Sequence, residues 1–388
     1  MRCDAFFAYA VSLLATTVTA RLSIVPSSVV EAPSNVTFTS TEFGLDAPKV
    51  APINRTTYDW WYFDVVSDGS QCKNSSDTGL SAMTIVFHTA GGPGAFAPLS
   101  YLYRQNFTSV NLVQISSTFA NGTTFTALLN ASQAYFLPIG NGVSSIFDAG
   151  NAGGGSFSGT ADMSTYVLNI NAPMFGVNGS IVFDSIAPAH YPAGPVSAGQ
   201  DMRMSPHVGW ANAVPDSRAE ARFMIRGEEL NVSGVGYHDK NWGDKAFEED
   251  VDYWYWGHGR VGPYSIVWFD YMGPSGETAV SAYVAKDGKI LTSEYSGIKV
   301  RPFGENSTYP PLTSTGAPSG YHITVDTPEG ELSVDAHSDT MILGFSGDVY
   351  NRWVGRLTGG FNGSTDLQGV SLFEQFAFNR GNSSVPRS

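Results

Sequence analysis

The sequence predicts an all-β protein built from two similar units, and three observations carry that reading. Runs of β-branched and aromatic residues of strand length recur along the chain, Gly-rich turn clusters separate them, and helical periodicity is scarce. Composition agrees: 42 Gly and 13% aromatic residues favour strands and turns. Only 14% of residues are charged against 42% hydrophobic, so the 388-residue chain can bury a sizeable core.

Residues 1–20 read as a secretory signal. Arg2 precedes an apolar run from Ala5 to Ala15, and Val18-Thr19-Ala20 offers small residues for cleavage after Ala20. The run is too short to span a bilayer, so no membrane insertion is expected. Asn-x-Ser/Thr sequons at Asn35, Asn54, Asn74, Asn106, Asn121, Asn130, Asn178, Asn231, Asn306, Asn362 and Asn382 point the same way, to an N-glycosylated, secreted or vesicular protein. Removal of the signal takes Cys3 and leaves Cys72 alone, so no internal disulfide is expected. Cys72 sits in a polar turn and reads as an incidental thiol.

Strands are expected at Thr84–His88, Phe125–Leu129, Tyr166–Ile170 and Ser265–Phe269, with turns at 90–94 and 150–155. The best short helix candidates are Ser217 to Met224 and Trp242 to Asp250. Asp59-Trp60-Trp61-Tyr62-Phe63 recurs in kind as Asp252-Tyr253-Trp254-Tyr255-Trp256, and an apolar strand follows each block. This weak repeat suggests two β domains, 21–230 and 231–388, divided near the Arg226-Gly227-Glu228-Glu229 turn. Strand alternation puts Asp59, Trp61 and Phe63 on one face and Trp60, Tyr62 and Asp64 on the other.

The net charge of -14 argues against nucleic acid and anionic membranes as partners. There is no Gly-x-Ser-x-Gly elbow, no His-Glu-x-x-His helix and no phosphate loop. Seven His without a pair at ligand spacing give no support for a metal, and no cofactor signature is present. What remains is a dense polar and aromatic stretch, Gly236-Tyr237-His238-Asp239-Lys240-Asn241-Trp242-Gly243. Four of the eight Trp lie between 242 and 268. Such a stretch is either a hydrogen-bonded turn with Trp242 as a core plug or part of a site. Trp210 reads as core or pocket wall, and His88 as a satisfied core group or a pocket residue.

Asp59-Trp60-Trp61-Tyr62-Phe63-Asp64 together with Gly236–Gly243 and Val261-Gly262-Pro263-Tyr264 resembles the lipocalin-like family of carotenoid hydratases and fungal Diels–Alderases. The resemblance runs over roughly residues 40 to 380. With the secretion signal and the sequons, it is most similar to hetero-Diels–Alderases that join a tropolone to a humulene-type sesquiterpene. It implies two lipocalin-like β-barrel or β-sandwich domains packed side by side, with little helix and a pocket between them. Asp59 then falls where decalin-forming relatives carry a pocket Glu. Trp242, after Asp239-Lys240, falls where they carry a pocket Trp, and Trp210 and Trp353 match further pocket aromatics. A late pocket Lys of some relatives has no counterpart here.

The implied enzyme is a cofactor-independent (hetero-)Diels–Alderase or cyclase. Its expected substrates are a polyketide tropolone, as its o-quinone methide, and a terpene. Trp61, Trp210, Asp239, Trp242, Trp268 and Trp353 would shape the pocket. Asp59, His88 or His238 would serve as acid or base. The alternatives are a carotenoid-hydratase-like or decalin-forming cyclase, and a non-catalytic carrier of apolar ligands.

Overall fold

A computed structural model describes residues 21–68, 79–92, 95–96, 109–344 and 349–378. The expected signal at 1–20, Cys72 and the sequons Asn74, Asn106 and Asn382 lie outside the described residues.

Antiparallel pairing organises these residues into two large curled sheets, one of twelve strands and one of ten. Both are lipocalin-like, and helix is confined, among the described residues, to the four-residue turn Phe247–Asp250 and two 3₁₀ turns. The four strands expected from sequence fall within Ala82–Ala90, Thr124–Ala131, Thr165–Ala172 and Tyr264–Met272. Each aromatic block lies in a central strand of its own sheet. Tyr58–Ser67 pairs with Ala82–Ala90, and Tyr253–Val261 pairs with Tyr264–Met272.

The two helix candidates are corrected. Ser217 to Met224 is strand, the second half of Val208–Ile225. Its residues alternate strictly: Ser217, Ala219, Ala221 and Phe223 are buried, while Arg218, Glu220 and Arg222 are exposed, which is period two, not 3.6. The other helix candidate, Trp242 to Asp250, is helical only over its last four residues. The expected division at 230/231 falls inside the first sheet, because Glu228–Gly243 pairs with both Val208–Ile225 and Tyr58–Ser67. The chain changes sheet between Gly243 and Tyr253.

Three apolar clusters follow from this layout. Trp61, Phe63 and Trp242 belong to the interior of the first sheet, and Trp268, Trp353 and Phe373 to that of the second. The third joins the sheets: Trp60, Tyr62 and Tyr237 from one meet Trp254, Trp256 and Phe376 from the other. The strand Tyr58–Ser67 is buried at every residue because its two faces serve two different cores.

The long hairpin of Val208–Ile225 and Glu228–Gly243 has register shifts between Asn212 and Ser217. These bulges break the regular alternation. Beside them, Asp216 takes a two-pronged contact from Arg260 of the second sheet (2.9 and 2.6 Å) and a bond from Ser265 (2.6 Å). Gly209 is required by close packing, since a Cβ there would stand 2.1 Å from the Trp242 ring.

Candidate active site

The strand Glu228–Gly243 positions chemistry on two sides. Tyr237, Asp239 and Asn241 alternate with His238, Lys240 and Trp242, so the two sets face opposite ways. The first set looks toward the second sheet, and the second set looks into the first sheet's interior.

On the inner side lies a buried polar network. Lys240 Nζ donates to Asp59 Oδ1 (2.5 Å), and the backbone N–H of Lys49 donates to Asp59 Oδ2 (2.6 Å). The Lys240 ammonium sits over the rings of Trp61 (4.5 Å) and Trp242 (4.7 Å). His238 Nε2 meets Asp46 Oδ2 at 3.0 Å, and its Nδ1 meets the Tyr62 carbonyl at 2.9 Å. Tyr166 donates to the same Asp46 oxygen at 3.0 Å. Burial raises the Asp59 carboxyl and lowers the Lys240 ammonium, and their mutual attraction opposes both effects.

On the other side, between the sheets, is a cavity with about 480 Å³ of empty space, part of it open to solvent. Its walls are aromatic on both sides, with Trp60, Tyr62 and Phe96 facing Trp254, Trp256, Tyr350 and Phe376. Trp60 and Phe96 lie 4.8 Å apart, Tyr62 and Trp256 5.2 Å, and Tyr350 and Phe376 4.4 Å. Polar groups reach it from both sheets: His88, Gln114, Asp239 and Asn241 from the first, Arg352 and Glu374 from the second.

Asp239 is held by two donors, Trp210 Nε1 and the Tyr237 hydroxyl, each at 2.8 Å and both on Oδ2. Burial pushes its carboxyl up to about 7, and the two hydrogen bonds restrain that rise. His88 Nε2 contacts Gln114 Oε1 at 3.2 Å. Burial brings the imidazole down to about 3, so it is neutral at physiological pH. Arg352 gives Nε and Nη2 to Glu374 Oε2 (3.1 and 2.8 Å). Tyr350 donates to that same oxygen (2.8 Å), while Trp254 donates to Oε1 (3.1 Å).

The structure therefore brings His88 and Asp239 together in one cavity and places Trp210 directly behind Asp239. Asp59, His238, Trp61 and Trp242 lie instead in the first sheet's interior, and Trp268 and Trp353 in the second's. None of those six lines the cavity. Trp60, Tyr62, Asn241, Trp254, Trp256, Arg352 and Glu374 line it without having been singled out from sequence. A signal for two of them was available: Arg352 precedes Trp353-Val354 and Glu374 follows Leu372-Phe373, charges beside apolar runs, a costly arrangement when buried unless they are paired. No group of three or more metal-ligating side chains occurs among the described residues.

A buried acid thus borders an aromatic cavity between two lipocalin-like sheets. The profile of the Diels-Alderase-like family matches residues 19–299, and the chain belongs to that family. It is similar to the quinolone epoxide rearrangement protein asqO of Emericella nidulans, 36% identical over 89% of this chain and 90% of the relative. A quinolone epoxide rearrangement protein of Penicillium thymicola, penF, is 34% identical over 91% and 94%. Among solved structures, CghA with Sch210972 superposes with a TM-score of 0.72 at 17% identity, covering 93% of this chain and all of that one, a likeness of fold.

Proposed function

We propose that the enzyme isomerises or cyclises an oxygen-bearing aromatic substrate by proton donation from Asp239. The observation that carries this reading is the Asp239 carboxyl at the wall of the aromatic cavity. Its Oδ2 is occupied by two donors, so a proton resides on Oδ1, the oxygen left for a bound molecule. A carboxylic acid that stays protonated near pH 7 is suited to general-acid work.

The names of the relatives at 36% and 34% identity support a quinolone epoxide as substrate. Asp239 protonates the epoxide oxygen as its C–O bond breaks, and positive charge develops on the adjacent carbon. The faces of Trp60, Trp254 and Trp256 stabilise that charge. A hydroxyl oxygen or an aryl C–H carbon of the same substrate then bonds to the cationic carbon, and the O–H or C–H proton it releases returns to the Asp239 carboxylate, so that the product is an isomer of the epoxide. No redox step or external nucleophile is needed. Incubation of the purified protein with a 3,4-aryl-quinolone epoxide, followed by chromatography against an enzyme-free control, tests this. A single rearranged isomer formed faster than in the control is expected. Equal rates and isomer ratios would remove the substrate class.

A second reading is the hetero-Diels–Alder joining of a tropolone-derived o-quinone methide to a humulene-type sesquiterpene. The aromatic walls on both sides of the cavity favour an apolar partner, and the same acid would expel water from a hydroxymethyl tropolone. A dihydropyran adduct of one configuration, formed only with enzyme, distinguishes it. For the cellular route we propose secretion with N-glycosylation. Its support is that Asn35, Asn121, Asn178, Asn231, Asn306 and Asn362 are exposed, while Asn54 and Asn130 are half-buried.

A further inference from the structure

The cavity's second wall holds a group that proton donation by Asp239 does not use. Arg352 is buried, with 7% of its side chain exposed. Two of its three nitrogens are committed to Glu374, which Tyr350 and Trp254 lock in place. The guanidinium also lies over the rings of Tyr62 (4.7 Å) and Tyr350 (5.6 Å). The third nitrogen, Nη1, is buried and has no hydrogen-bond partner. From the opposite wall, Asn241 Nδ2 is likewise buried without a partner.

Both atoms are donors only. An unsatisfied buried donor costs about 1–3 kcal/mol, and more when it is charged; the cavity keeps these two in addition to Trp256 Nε1 and His88 Nδ1, which are also buried without a partner, and of these Arg352 Nη1 is the charged one. Glu374 also balances the guanidinium charge, so the site has no net demand for an anion.

We infer that Arg352 Nη1, with Asn241 Nδ2, is the docking point for a carbonyl oxygen of the substrate and fixes which end of the molecule meets Asp239. This deepens the reading above and rests on it for the choice of probe. The substrate class so defined is a flat, largely neutral molecule with a conjugated carbonyl, such as a lactam, separated by an aromatic body from the oxygen that Asp239 protonates. An amine or ammonium ligand is disfavoured, because it would bring further donors to a wall of donors. Arg352 thus determines specificity by binding, and Glu374 positions it.

The test compares two probes of matched shape on the full-length protein, 3-benzylquinolin-2-one and 2-benzylnaphthalene, which lacks the amide. Binding is read by quenching of tryptophan fluorescence. In the wild type the quinolone should bind at least roughly tenfold tighter. In Arg352→Met/Glu374→Gln, which removes the pair without stranding a charge, that ratio should fall to near one while the naphthalene keeps its affinity. Arg352→Lys is the second variant. It keeps the charge but loses the planar fork and should lose most of the ratio. A ratio near one in the wild type, absence of binding by either probe, or an undiminished ratio in either variant overturns the inference. Failure of the epoxide to react while the binding ratio behaves as stated would sink the proposed reaction and leave the carbonyl site standing.

Discussion

Replacing Asp239 by Asn separates what this side chain does for the reaction from what it costs the fold. The carboxyl rises from an ordinary 3.8 to about 7, chiefly through burial. A folded-state value above the unfolded one means that the favourable neutral state is fully present below pH 3.8. It is lost progressively as the pH climbs to 7, and above that the folded protein carries the whole cost. Roughly three pH units at about 1.4 kcal/mol each amount to about 4 kcal/mol, as a ceiling. Asn has no proton to lose, and its carbonyl oxygen accepts the same two hydrogen bonds from Trp210 and Tyr237. Asp239→Asn should therefore match the wild type in stability near pH 4 and exceed it at pH 8, by up to that amount. Its turnover should fall by two or more orders of magnitude, as expected for loss of a general acid. Wild-type kcat should itself drop about tenfold per pH unit above 7. Urea unfolding at pH 4, 6 and 8, beside turnover at the same pH values, reads all three. A variant no more stable than the wild type at pH 8 would refute the buried neutral acid, and unchanged turnover would refute its catalytic role.

Three further outcomes are expected. Lys240→Met strands the buried Asp59 carboxylate and should cost about 3–5 kcal/mol; adding Asp59→Asn should recover much of the loss in urea unfolding, and equal losses in the single and double variants would show that the pair is not coupled. Gly209→Ala drives a Cβ against Trp242 and should lower stability by about 2–3 kcal/mol, read as a lower Tm, whereas an unmoved Tm would mean the hairpin yields at no cost. Treatment of the protein from a fungal secretory host with an N-glycosidase should lower its mass, with Asn-to-Asp conversion mapping to exposed sequons such as Asn178 and Asn231; a mass unaltered by the enzyme would defeat the proposed route.

The strand architecture was legible because β-branched and aromatic runs between glycine turns carry a strong local signal. Alternation over Asp59–Asp64 was legible too, and the structure keeps it. Which face borders the cavity was not, because both faces of that strand are buried and burial alone carries no label. The same ambiguity put Trp61 and Trp242 on the list for the site when their indoles donate inward, to the carbonyls of Asp46 and Thr37. Asp239 was reachable from sequence within the dense polar and aromatic stretch 236–243, and His88 as the polar end of an apolar strand. Arg352 and Glu374 stand beside apolar runs, but other polar residues share their strands, and their pairing and their approach to Asp239 depend on how the two sheets meet. The helix reading of Ser217 to Met224 failed because alanines at 219 and 221 blurred a period-two pattern into an apolar stretch.

The strand Glu228–Gly243 has one further consequence. Positions 239 and 241 line the cavity and 237 packs between the sheets, while 238, 240 and 242 hold the first sheet's interior. A single length of chain thus carries two codes interleaved residue by residue, one for chemistry and one for folding. A combinatorial library confined to positions 239 and 241 would explore new reactivities on the same scaffold, whereas the same diversity at 238, 240 and 242 would yield mostly insoluble protein. Divergence of reaction within one fold then needs no loop insertions: it needs only drift at every second residue.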